Sequence, residues 1–307
     1  MPLPDDPKLI RLSEDLLAEF EKLFGPHPGF RPAHAKGLLL TGIFTPAAGA
    51  ASLTRAPHVV HASTPVSVRF SNSTGLPLIP DKDPNANPRG MAIRFHLAEH
   101  VHTDIVSHST DGFPTRTGAE FLEMLRALAS NQIESFLATH PKALAFVQTP
   151  KPAPASFATE KYFGVTAMRF VNKDGVSRFG RYRIVPEAGV EHLSNQTLAE
   201  KGDNFLFDEI SERIGKGPVA FGIFVQVADE SDVVDDATVH WPEERQQVDL
   251  GRLVLDGVAP ENASEQKKMI FDPVPRVDGI EPSPDPLLEL RAAVYLLSGR
   301  QRRAAQV

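Results

Sequence analysis

The sequence predicts an α+β fold, an antiparallel β-barrel with surrounding helices. Between Leu38 and Leu255 the chain is dominated by strand-like runs. Few of these runs are separated by a whole helix, which argues against a doubly wound parallel sheet. Asn172-Lys-Asp-Gly175 is a hairpin turn signal set between two of them.

Along the chain, Lys8 to Phe24 carries Ile10, Leu12, Leu16, Leu17, Phe20 and Leu23 at helical spacing with charges between them, an amphipathic helix. Strand-like runs follow at Leu38–Phe44, Val66–Ser71 and Met91–Leu97. His58 and His61 lead into the second run and read as surface residues. His96, His100, His102 and Asp104 come next. Their partly alternate spacing would put three side chains on one strand face, as in a non-haem metal site. The Ala-Glu-His-Val-His-Thr composition favours an exposed polar loop instead. A second amphipathic helix covers Ala119 to Thr139, and Gln148 to Pro154 is the best candidate for a semi-rigid connector. Further strands are predicted at Phe163–Val171, Ser177–Val185, Val219–Val227 and Leu250–Leu255, with a helix over Asn195–Ile214. No repeat or low-complexity stretch divides the chain, so a single domain over residues 1–307 is expected, with its core at about 28–303.

Composition narrows the function. A net charge of −7 argues against a nucleic-acid surface, and no basic run supports one. No apolar run is long enough to span a bilayer and no secretory start is visible, so a soluble, cytoplasmic protein is expected. Cysteine is absent, which excludes a disulfide framework, Cys-ligated zinc or haem, and thiol peroxidase chemistry.

The segment Ile280-Glu-Pro-Ser-Pro-Asp-Pro-Leu-Leu-Glu-Leu-Arg291-Ala-Ala-Val-Tyr295 reads as a helix start, capped by Ser283 or Asp285 with a proline in the first turn. Arg291 and Tyr295 then share a face, and Arg302 returns to it if the helix continues through Gly299. A guanidinium beside a phenol favours the phenolate, a hard oxygen ligand suited to ferric iron. Periodicity by itself favours a core tyrosine with a wet hydroxyl, among Leu287, Leu288, Leu290, Val294, Leu296 and Leu297.

Together with four earlier blocks, this helix resembles the proximal haem-ligand segment of the catalase family. Phe30-Arg-Pro-Ala-His34-Ala-Lys-Gly37 is similar to the segment with the distal histidine and a propionate-binding arginine. Val68-Arg69-Phe70-Ser71 resembles the strand with a second propionate arginine and the distal serine, and Asn87-Pro-Arg-Gly-Met-Ala92 the family's strand-opening motif. Asp104-Ile-Val106, followed by Phe113 and Phe121, resembles the stretch that supplies aromatic haem contacts. The resemblance covers residues 28 to 303 or so. It implies haem b held outside the barrel, between its wall and the proximal helix, with Tyr295 on iron and Arg291 keeping it ionised. It further implies His34 as distal acid–base oriented by Ser71, and Arg31, Arg69 and Arg302 on the propionates.

This sequence departs from the family at three places. His108 stands where catalases have a peroxide-binding asparagine, Arg183 where they have a histidine linking the proximal arginine to an aspartate matched by Asp285, and Leu-Leu-Ser-Gly299 follows Tyr295 in place of a proline-containing turn. The chain is also short, most like the small catalase-related peroxidases. The implied activity is reduction of organic hydroperoxides and/or hydrogen peroxide through a ferryl-haem intermediate with an external electron donor, in a dimer or looser assembly. True catalase dismutation, hydroperoxide isomerisation and haem binding without turnover are the rival readings.

Overall fold

The computed structural model describes residues 3–306. Helix α1 (Pro7–Phe24) starts on the Asp6 side chain, which accepts from the Lys8 amide, and ends at Gly25. Strands β1 (Gly37–Pro46), β2 (Thr64–Ser71), β3 (Gly90–Ala98) and β4 (Val101–His108) follow as a meander, with the short helix α2 (Pro57–Val60) between the first two. A helical stretch then holds α3 (Gly118–Ala129), α4 (Ile133–Thr139) and α5 (Pro141–Gln148). Strands β5 (Tyr162–Phe163), β6 (Met168–Val171) and β7 (Ser177–Pro186) lead through α6 (Asn195–Ala199) and α7 (Phe205–Lys216) to β8 (Val219–Val227) and β9 (Gln247–Val258). Helix α8 (Asn262–Lys268), β10 (Ile280–Pro282) and α9 (Leu287–Ala304) complete the order.

All ladders are antiparallel. The ring runs β7–β5–β4–β3–β2–β1–β9–β8 and closes by pairing of β8 with β7, an eight-stranded barrel from which β6 and β10 extend. Alternation fills its interior. Val66, Val68 and Phe70 of β2, Met91, Ile93 and Phe95 of β3 and Ile105 of β4 all join the main core. Helix α9 has two apolar sides. Leu288 and Ala292 join the barrel core, while Leu290, Val294 and Tyr295 pack with Leu16 and Leu17 of α1 and Leu122 and Leu125 of α3. Among the described residues, no helix is long and apolar enough to cross a membrane.

Several sequence expectations are corrected. The supposed polar loop is the β3–β4 hairpin, with His96 paired to His102 and Arg94 to Asp104. The helix expected over Ala119–Thr139 is broken in two near Asn131, whose φ is +57°. The stretches at Phe163–Val171 and Asn195–Ile214 likewise each split into two elements. His58 is no surface residue: it is 1% exposed and packs against the rings of Phe44 and Phe95. Both proposed caps contribute to the start of α9, since Asp285 Oδ1 accepts from the Leu287 amide at 2.9 Å and Ser283 Oγ from the Asp285 amide at 3.3 Å. The helix does continue through Gly299, where a Cβ would run into Ile270.

Candidate active site

The residues opposite the core on β2, β3 and β4 form rows across the barrel's outer wall. Ser71 pairs with Gly90 and Gly90 with His108; Arg69 pairs with Ala92 and Ala92 with Val106; Ser67 pairs with Arg94 and Arg94 with Asp104. Because the period is two, the same alternation that buries Phe70, Met91 and Ile105 inside puts this polar set outside.

His34 reaches the first row from the loop before β1. Its backbone is left-handed, with φ +56°, and its Nδ1 lies 3.1 Å from Ser71 Oγ. Gly90 makes the contact possible, since a Cβ there would sit 2.5 Å from Ser71 Oγ and 2.8 Å from His34 Nδ1. Gly90→Ala is therefore expected to push the pair apart, at a cost of about 1–3 kcal/mol in thermal or denaturant unfolding. An unshifted unfolding midpoint would contradict that packing. Burial, then the charges of Arg69, Arg291 and Arg31, press His34 down to about 4, so it is uncharged at neutral pH. His108 is held down to about 3 by burial and by His34 beside it, and its Nδ1 accepts from the Thr110 amide at 3.3 Å. The two imidazoles thus share one recess.

On α9 the Arg291 guanidinium donates to the Tyr295 hydroxyl at 3.2 Å and lies 5.7 Å from its ring centre. Phe121 packs in the same helical cluster as Tyr295, and its ring lies 5.1 Å from that of Phe113. His34, Arg31, Val106, His108, Phe113, Phe121, Arg291 and Tyr295 all keep partial solvent access, and Val106 and Arg291 border one narrow cleft with Asp104. Arg183 turns elsewhere, to Asp111 at 2.9 Å and Gln226 at 2.6 Å. Asp285 keeps one carboxylate oxygen without a partner, and burial pushes its carboxyl up against the pull of Arg291 and Arg181.

Three arginines lie near one another and near Tyr295 without a carboxylate. Arg31 donates to the Met269 carbonyl at 2.9 Å, and Arg302 to the carbonyls of Met269 at 2.7 Å and Lys267 at 2.9 Å. Arg69 donates to Gln266 Oε1 at 2.6 Å and the Ala35 carbonyl at 3.1 Å. Burial and mutual repulsion lower Arg31 and hold Arg69 down at about 9; burial, with Arg303 adding repulsion, holds Arg302 at about 10. Only Arg94, their neighbour, has an acid, bidentate to Asp104 at 2.9 and 2.7 Å. Buried cations held by neutral acceptors leave the site short of negative charge, which fits two propionates.

Sequence reasoning missed Gly90 as a spacer, Gln266 as the residue that orients Arg69, and Arg94. The even spacing of Gly90, Ala92, Arg94 and His96 was the available signal for the last. Among the described residues no three His, Cys, Asp or Glu side chains form a metal site, and Asp104 is committed to Arg94 and the Asp272 amide.

A barrel of this topology, with its polar wall facing a tyrosine-bearing helix, is the fold of the catalases. A bacterial catalase structure superposes with a TM-score of 0.81 over 97% of this chain at 22% identity, and this chain covers 62% of its length. The catalase family model matches residues 26–307, and the chain belongs to that family. It is similar to a catalase-related peroxidase of Mycolicibacterium paratuberculosis, 36% identical over 91% of this chain and 90% of that one. A catalase-related peroxidase of Synechococcus elongatus is 31% identical, over 94% and 88% of the two chains.

Proposed function

We propose that this protein is a haem peroxidase that reduces organic hydroperoxides and/or hydrogen peroxide, using haem b and a separate electron donor. What supports this reading is a convergence: the His34–Ser71 pair lies close enough to Arg291, which holds Tyr295, and to Arg31 and Arg69 for their charges to press on His34, and Arg302 joins those two arginines, none of the three with an acid. The description of its relatives as catalase-related peroxidases supports an oxidoreductase acting on peroxide.

Arg31, Arg69 and Arg302 would hold the propionates, Tyr295 would be the iron ligand, and Phe113 and Phe121 would supply aromatic contacts. When bound, the haem supplies the two-electron redox chemistry. The chain's own work is proton handling and positioning. His34, uncharged at neutral pH, takes the proton from one peroxide oxygen and returns it to the departing one. Ser71 engages Nδ1 and so leaves Nε2 for the peroxide. Arg291 fixes the Tyr295 oxygen by its hydrogen bond, and His108 offers the peroxide a second ring in place of an amide.

The test is the absorption spectrum of haem-loaded protein before and after one equivalent of alkyl hydroperoxide, with Tyr295→Phe alongside. A ferric high-spin spectrum that changes on peroxide addition, and is altered or lost in Tyr295→Phe, is expected. Identical haem binding in the variant would remove Tyr295 as ligand, and a wild-type spectrum indifferent to peroxide would remove the peroxidase reading.

A further inference from the structure

A second recess opens to solvent behind Phe113, with a volume of about 250 Å³. Helix α5 forms one wall through Pro141, Lys142, Ala145 and Phe146, and Phe113, Thr238 and His240 form the other. The volume falls just below the range of drug-sized sites, which suits a single ring with small substituents. Phe113 and Phe146 bring two aromatic rings to its lining, beside Pro141 and Ala145, surfaces that a flat π-system packs against.

The polar groups narrow the occupant. Lys142 Nζ and Thr238 Oγ1 both donate to Asp236, at 2.8 and 2.5 Å, and Thr149 Oγ1 donates to the Ala145 carbonyl at 2.9 Å. That leaves the His240 imidazole, pressed against Gly112, where a Cβ would lie 3.1 Å from its Nε2. No carboxylate lines the recess, so nothing there favours an organic cation. A ring beside an imidazole is the environment for an aromatic hydroxyl.

We infer that this recess is the binding site of a phenol-type reductant, with His240 accepting the phenolic proton. The inference rests on the peroxidase reading, whose unnamed electron donor it supplies. Each phenol loses one electron and the O–H proton; two phenols reduce one hydroperoxide to an alcohol and water, leaving two phenoxyl radicals. The electron has a short inward route. Phe113 borders the recess, its ring lies 5.1 Å from Phe121, and Phe121 packs in the cluster that contains Tyr295.

Phenol is the probe, titrated calorimetrically into haem-loaded protein. Ala145 is exposed on α5, so Ala145→Trp fills the recess without touching the barrel; Val147→Trp places the same side chain on the opposite, exposed face of the same helix. Ala145→Trp is expected to weaken phenol binding and raise the KM for phenol by about tenfold or more, because the ring loses most of its contact area. Val147→Trp should behave as wild type. In His240→Phe phenol should still bind while kcat for its oxidation falls. Equal phenol affinity in wild type and Ala145→Trp, or no binding to either, overturns the assignment. A wild-type spectrum that ignores peroxide would instead defeat the peroxidase reading, and calorimetry judges the recess independently of it.

Discussion

Replacing His34 by glutamine is expected to slow the reaction with one equivalent of alkyl hydroperoxide by about a hundred- to ten-thousand-fold, the usual contribution of a positioned acid–base group. Glutamine keeps a polar side chain of comparable reach but cannot carry a proton between two oxygens. The haem spectrum should persist, because neither Tyr295 nor the arginines are touched. Stopped-flow mixing measures the rate, and an unchanged rate would exclude His34 from proton transfer. The wild-type rate should also be nearly flat from pH 5 to 8 and fall below about pH 4, where His34 takes a proton. The sign follows from the need for an uncharged base. Burial, the largest cause of the shift, still operates when propionates neutralise the arginines.

The second large effect concerns stability. Burial holds His58 down to about 4, and its Nδ1, in the cluster with Phe44 and Phe95, has no hydrogen-bond partner. In the unfolded chain the same imidazole titrates near 6.5. The unfolded state therefore binds the proton first as pH falls. The stability in question is fully present above about pH 6.5 and is lost progressively down to about 4, where the native state also protonates. The loss is about 3 kcal/mol, at about 1.36 kcal/mol for each tenfold difference in proton affinity between folded and unfolded states. Denaturant unfolding at pH 7 and at pH 4.5 should show it, and His58→Phe should reduce the difference between the two conditions by about that amount, leaving the share due to His34 and His108. A variant as acid-sensitive as wild type would place the cause elsewhere, with His34 and His108 next in line.

Much of this was legible in sequence, and what was not has physical reasons. The strands through Leu40, Val68, Ile93 and Val225 announce themselves because they supply side chains to a continuous apolar core. Strand β4 does not, because Ile105 is its one side chain in that core, while its outer face carries His102, Asp104, Val106 and His108. The property that hides β4 as a strand is the one that makes it the wall of the cleft. Helix α8 buries none of its side chains, so no periodicity marks it, yet its Gln266 bonds both Arg69 and the Gly37 carbonyl. The His34, Ser71, Arg291 and Tyr295 positions were identifiable because they fall in motifs. The contacts between them were not, since they depend on register and on a missing Cβ at Gly90. Arg183, which stands where the family has its linking histidine, is held instead by a nearer acid, Asp111.

The left-handed backbone at His34 bears on how the gene can change. Few residues accept a φ of +56° without strain, and asparagine and aspartate are among them. Both codons are a single base away from histidine. A lineage can thus exchange this imidazole by one nucleotide while its loop keeps its course, leaving a descendant that folds like its parent but lacks the acid–base group proposed for it.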